Sequence, residues 1–212
     1  KALDAVGGFK FRNAGQVCIS PTRFFVQEKS YGKFVEGFAE RAKALKVGDG
    51  LEPGVQMGPL IAERRVPVME RFVQDAKDHG ARVVAGGERI GNKGVFYAPT
   101  VIADVPDDAA IMSEEPFGPL APVTPFKGID DVLERANSLP FGLASYVYTS
   151  SGKTGKTMAE KLDAGMVGVN SVMVSTVETP FGGVDESGYG SEGGIEGLEA
   201  YQRVKYVSEI LG

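Results

Sequence analysis

Hydrophobic positions along the chain switch between two spacings. After Ser30, the residues Phe34, Val35, Phe38, Ala42 and Leu45 recur at helical intervals, which predicts an amphipathic helix capped by that serine. The preceding run, Thr22 to Val26, is rich in β-formers and predicts a strand. The same alternation continues. A helix is predicted from Glu63 to His79, with Pro67 in its first turns and Gly80 ending it, followed by a strand from Arg82 to Ala85. Strands are then expected over Phe96 to Val105 and Leu120 to Phe126, a helix over Ile129 to Ser138, and a strand over Ala144 to Thr149. The helix Lys153 to Asp163 and the strand Met166 to Val169 complete the series, and Ala2 to Val6 reads as a helix at the start. Strands separated by helices imply crossover connections, so the predicted class is α/β with a largely parallel, covered sheet. The tail differs. Gly182 to Gly194 is glycine-rich without a strand pattern, Ile195 to Tyr201 reads as a short helix, and Arg203 to Ile210 alternates with period two. A terminal strand without a partner invites pairing with another subunit.

Composition narrows the function. Hydrophobic residues make up 42% of 212, enough for a sizeable core in one domain. The formal net charge of −5, with no basic tract, argues against a nucleic-acid partner. One histidine and one cysteine do not make a metal site, so no metal is expected. The chain shows no apolar run long enough to span a bilayer, no signal peptide and no glycosylation acceptor, which leads to the expectation of a cytoplasmic protein with no membrane partner.

Cys18 is the single cysteine, so within this chain it serves either as a small buried apolar group or as a reactive thiolate. It closes the run Phe11-Arg12-Asn13-Ala14-Gly15-Gln16-Val17-Cys18. Farther along come Glu114-Glu115-Pro116-Phe117-Gly118-Pro119, and then Thr179-Pro180-Phe181-Gly182-Gly183 with Ser187-Gly188 behind it. In this order and spacing the three segments resemble the catalytic-cysteine motif, the acidic Phe-Gly-Pro turn and the Pro-Phe-Gly-Gly loop of the NAD(P)-dependent aldehyde dehydrogenase superfamily. The likeness runs over nearly the whole chain.

That resemblance carries several implications. It implies a catalytic domain over residues 1–200, a C-terminal oligomerisation strand over residues 201–212 that makes the protein a homo-oligomer, and a cofactor-binding domain missing from this chain, because only seventeen residues precede Cys18. NAD or NADP is the implied cofactor, bound mainly by that missing domain, and a small aldehyde is the implied substrate. Cys18 would be the nucleophile, with its own backbone N–H helping to hold the oxyanion. Glu115 would hold the nicotinamide ribose and Phe117 would pack near the nicotinamide. Arg12 and Ser175 resemble the pair that grips the distal carboxylate in the succinate-semialdehyde branch, and Phe181 would touch substrate from its loop. The second oxyanion donor and the water-activating base would both come from the missing portion, so the isolated chain is expected to be inactive as a dehydrogenase. The chain departs from the family pattern at Asp185, where a basic residue is usual, and at Ser191, where an arginine is common; this bears on local contacts between domains.

Simpler roles stand beside these. Arg12 also suits an ordinary ion pair. Asn13 is expected to hydrogen-bond its own loop, and Gly15 to mark a place where a side chain would crowd the cysteine turn. His79, at a helix end, reads as a cap and not as a partner for Cys18, while Glu114 reads as structural. The formal G-x-G-x-x-G at Gly188, Gly190 and Gly193 lacks a buried strand before it and has acidic neighbours, which argues against a phosphate cradle. Two other functions remain open on sequence: a non-catalytic folding or assembly module, and a thiol acyltransferase or esterase using Cys18 alone.

Overall fold

A computed structural model describes residues 1–212. By its contacts the chain divides into two compact units, Lys1–Leu139 and Pro140–Gly212. In the first, helix α1 (Ala2–Phe11) leads through a tight turn and a loop into strand β1 (Phe24–Gln27), which runs straight into helix α2 (Glu28–Ala44). Ser30 therefore lies inside the first turn of α2, and Gln27 occupies the capping position without a side-chain bond. The helix begins ahead of the predicted cap because the strand passes into it without a loop, and Glu28 in the first turn complements the helix dipole.

Helix α2 buries Val35, Phe38, Ala39 and Ala42, one stripe at helical spacing. Phe38 is the centre of an aromatic group: its ring lies 5.7 Å from Phe11 of α1, 5.2 Å from Phe24 of β1 and 5.6 Å from Phe34. Helix α3 (Arg65–Asp78), with Pro67 in its first turn where a missing N–H costs nothing, buries Val66, Met69, Phe72, Val73 and Ala76.

Strands β2 (Arg82–Ala85), β3 (Thr100–Ala103) and β4 (Leu120–Phe126) join β1 in a sheet of order β1-β4-β3-β2. β4 is parallel to both β1 and β3, whereas β2 is antiparallel to β3. The sheet is thus mixed. No helix intervenes between β2 and β3; the connection folds back on itself through the Arg89–Tyr97 bridge, and a parallel return would need a crossover. All four residues of β3 are buried, so the sheet is covered on both faces. Ile102 and Leu120 share a core with Met69 and Phe72 of α3. Strand alternation sends Ala103, Val123 and Phe24, which are in register, to the opposite face, where Phe24 meets Phe38 of α2. Helix α4 (Ile129–Ala136) closes this unit, its last carbonyls at Arg135 and Ala136 accepting hydrogen bonds of 3.0 and 2.8 Å from Arg23.

The second unit holds strands β5 (Phe141–Gly142) and β6 (Ala144–Val147), helix α5 (Gly152–Lys161), strands β7 (Met166–Val169) and β8 (Val184–Asp185), and the one-turn helix α6 (Glu196–Glu199). β6 and β7 are parallel with α5 as their crossover, and the Ser151 hydroxyl caps α5 by accepting the Thr154 N–H at 3.2 Å. β5 and β8 pair antiparallel. Residues 202–212 have no regular structure and are exposed throughout, in contrast to the strand predicted over Arg203 to Ile210. The alternation is in the sequence, but a strand needs a neighbour to complete its hydrogen bonds, and the single chain supplies none here. No helix is long and apolar enough to cross a membrane.

Candidate active site

The loop that carries Cys18 begins in strain. Beyond the end of α1, Asn13 (φ 51°), Ala14 (φ 55°) and Gly15 (φ 70°) adopt left-handed backbone in succession. For residues other than glycine this costs on the order of 1 kcal/mol or more each and persists only when the surroundings impose it. The bonds that impose it come largely from two side chains. Asn13 Nδ2 donates to the Gln16 carbonyl at 2.9 Å, and Gln16 Nε2 donates back to the Asn13 carbonyl at 3.0 Å, the loop-local role expected of Asn13. Gln16 also ties the loop to the segment before α3: its Oε1 accepts the Ile61 N–H at 2.8 Å and its Nε2 reaches the Pro59 carbonyl at 3.3 Å. Sequence reading gave Gln16 no such task, although its place in the motif marked it.

Cys18 follows in a turn closed by Ser20 N–H to the Val17 carbonyl at 2.9 Å. The thiol is exposed, which removes the reading of Cys18 as a buried apolar group. Its backbone N–H has no acceptor within the chain. His79 is elsewhere: it ends α3, with Nδ1 2.8 Å from the Asp75 carbonyl, as a helix-end residue should be. Arg12 is exposed, and its guanidinium makes no ion pair, so the ordinary structural role is not filled.

The acidic turn packs directly on this loop. A Cβ placed on Gly15 would lie 2.2 Å from the Gly118 carbonyl oxygen and 3.3 Å from that of Lys10, so only glycine lets the two backbones meet. On its other side Gly118 is pressed against α3, since a Cβ there would fall 2.2 Å from the Met69 sulfur. The turn is wedged between the cysteine loop and α3, and Arg65 adds a hydrogen bond to the Pro116 carbonyl.

Within the turn the two carboxylates part company. Glu114 is paired with Arg71, at 2.7 and 3.3 Å, and the arginine holds its carboxyl below the usual range. Glu115 has no hydrogen bond or ion pair; partial burial pushes its carboxyl up, while Lys10 and Arg65 act in the other direction. Phe117 is 38% exposed and left-handed at φ 40°, a costly posture for an aromatic residue on a surface.

In the second unit Ser175 is exposed, and its neighbours Val174 and Thr176 line an open hollow of about 280 Å³ together with Met166, Met173 and Pro180. Phe181 is half-buried and bridged to Glu192 by paired backbone bonds of 2.7 and 2.8 Å. The glycines at 188, 190 and 193 lie in irregular backbone, preceded by a two-residue strand, which is no phosphate cradle. Asp185 sits in β8 at φ 51°. The larger hollow, about 440 Å³ beside Asp104, Asp107, Asp131 and Arg135, contains none of these residues.

The sequence profile of the Aldehyde dehydrogenase family matches residues 1–207. This chain belongs to the aldehyde dehydrogenase family. Among its relatives, 4-(hydroxymethyl)benzenesulfonate dehydrogenase of Comamonas testosteroni is 47% identical over 201 residues, which are 95% of this chain and 42% of that protein. The NADP(+) succinate-semialdehyde dehydrogenase of Escherichia coli is 42% identical over 98% of this chain and 43% of its own length. A solved E. coli NADP-dependent enzyme superposes with a TM-score of 0.95 at 42% identity, over 97% of this chain and 43% of that one. The chain therefore spans less than half the length of these relatives.

Proposed function

We propose that this chain is the thiol-bearing catalytic part of an NAD(P)-dependent aldehyde dehydrogenase that oxidises a small aldehyde with an anionic tail. The observation that carries the reading is the contact of Gly15 with Gly118, which brings the Cys18 loop against the turn bearing Glu115 and Phe117. Glu115 suits a ribose: its carboxylate has two acceptor oxygens, no partner in the chain and a place at the surface. Phe117 offers an exposed ring one residue from the wedged Gly118.

Cys18 acts first. Its thiolate adds to the aldehyde carbon, the carbonyl oxygen becomes an oxyanion, and the free Cys18 N–H is available to stabilise it. A bound nicotinamide dinucleotide supplies the acceptor for the hydride that then leaves this carbon. The product on Cys18 is a thioester, which water cleaves to release the acid and the thiol. Arg12, unpaired and exposed, is the proposed partner of the substrate's anionic tail, and Ser175 and Phe181 are proposed substrate contacts of the second unit. Carboxylate and sulfonate tails both present oxygens that a guanidinium matches, and the names of the two relatives carry one of each. We further propose that Arg203 to Ile210 becomes a strand by pairing with another subunit.

The test is covalent. An alkylating agent should label this chain at one site, and Cys18→Ser should abolish that labelling and, in the complete enzyme, the oxidation. Turnover that survives in Cys18→Ser overturns the reading.

A further inference from the structure

Lys10 is the one charged side chain sealed inside the chain: it is 0% exposed, and its Nζ has no hydrogen-bond partner. An ammonium in that position is costly unless something offsets it. Burial pulls its pKa down to about 7, and the charge that acts against this is Glu115. Backbone contacts bring the end of α1 and the acidic turn together around one glycine. Gly15 abuts both the Lys10 carbonyl and the Gly118 carbonyl of the acidic turn, and the Lys10 carbonyl also accepts a 3.3 Å bond from Ser20, two residues past Cys18. The other charges nearby are committed elsewhere. Asp4 of α1 is tied to the chain's amino group and to Arg41 of α2, Arg41 also bonds the Gly37 carbonyl, and Arg65 of α3 is held by the Pro116 carbonyl.

We propose that Lys10 is a positioning residue: its buried ammonium is the opposing charge that sets the Glu115 carboxylate for a ribose, so that cofactor affinity follows the protonation of Lys10. This rests on the reading of Glu115 as the ribose acceptor. The sign follows from the direction of the shift. Below about pH 7 Lys10 carries its proton and its charge acts on Glu115; as pH rises through that value the amine turns neutral and Glu115 loses that opposing charge. The Michaelis constant for the dinucleotide should therefore climb as pH rises through neutrality.

Steady-state kinetics of the complete enzyme across neutral pH, with the labelling rate of Cys18 as a control, test this. Lys10→Met is expected to raise the cofactor constant about tenfold on the acid side, to flatten its pH profile, and to leave thiol labelling unchanged. In a Glu115→Gln background Lys10→Met should add nothing. Lys10→Arg, charged at every pH, should keep the constant low on the alkaline side. A cofactor constant and profile unmoved by Lys10→Met, or an equal loss in the Glu115→Gln background, overturns the proposal. If Glu115→Gln itself leaves the constant unchanged, the ribose reading is what fails. Carboxyl-carbon NMR then judges the pairing alone: Glu115 of the parent protein should show a second inflection near pH 7 as Lys10 deprotonates. Its absence overturns the pairing without any variant.

Discussion

Adjacent residues of one type have been given opposite fates in this chain. Glu114 is consumed by Arg71 and holds the turn to α3, while Glu115, next to it, is left without a partner and partly desolvated. The arginine that decides this lies 43 positions away in sequence, so the division rests on a tertiary contact. The same principle isolates Arg12, whose guanidinium no carboxylate of the chain engages. Arg12→Ala should raise the Michaelis constant for a semialdehyde bearing a carboxylate by about tenfold, a figure kept modest because Arg12 is exposed and water screens the pair. An uncharged aldehyde of similar length should be nearly unaffected. Comparing the two substrates in one variant decides it, and an equal loss for both would mean that Arg12 supports the loop instead.

At the scale of elements the cysteine loop, the acidic turn and α3 behave as one packed stack, with Gly15 and Gly118 as its contact points. Gly15→Ala would put a methyl into a backbone carbonyl while forcing alanine to φ 70°. The left-handed posture alone costs about 1–3 kcal/mol, and the clash must push the turn away. The expected result is a lower melting temperature together with weaker cofactor binding, read by calorimetry and by titration with the dinucleotide. A variant as stable as the parent would show that the stack gives way easily. Periodicity made much of this architecture legible: the strands at Arg82–Ala85, Leu120–Phe126 and Met166–Val169 fall where their apolar runs lie. It missed what depends on neighbours. Ser30 has the chemistry of a cap but β1 delivers the chain into α2 before it, and the antiparallel β2 follows from a connection without a helix. Lys10 was invisible for the same reason: nothing in a short helix says that a lysine will be enclosed. The site motifs were legible as residue types, whereas the clamp by Gln16 and the wedge at Gly118 appear only once the segments are folded together.

For the whole molecule, the matched relatives are more than twice as long, and the last residues hold exposed apolar side chains without an occupant: Val204 at 101%, Tyr206 at 87% and Ile210 at 94%. These three share one side of the period-two run. Charged replacements such as Val204→Glu with Ile210→Glu should lower self-association of the complete enzyme in sedimentation, and an unchanged mass would remove this segment from the subunit contact. The lone, exposed thiol has a consequence of another kind. A cysteine oxidised by peroxide to the sulfenic acid is ordinarily rescued when a second thiol captures it as a disulfide. Within this chain there is no second thiol, so a sulfenic acid formed on the exposed Cys18 finds no disulfide partner here, and its rescue needs a thiol from outside this chain or a reductant in solution.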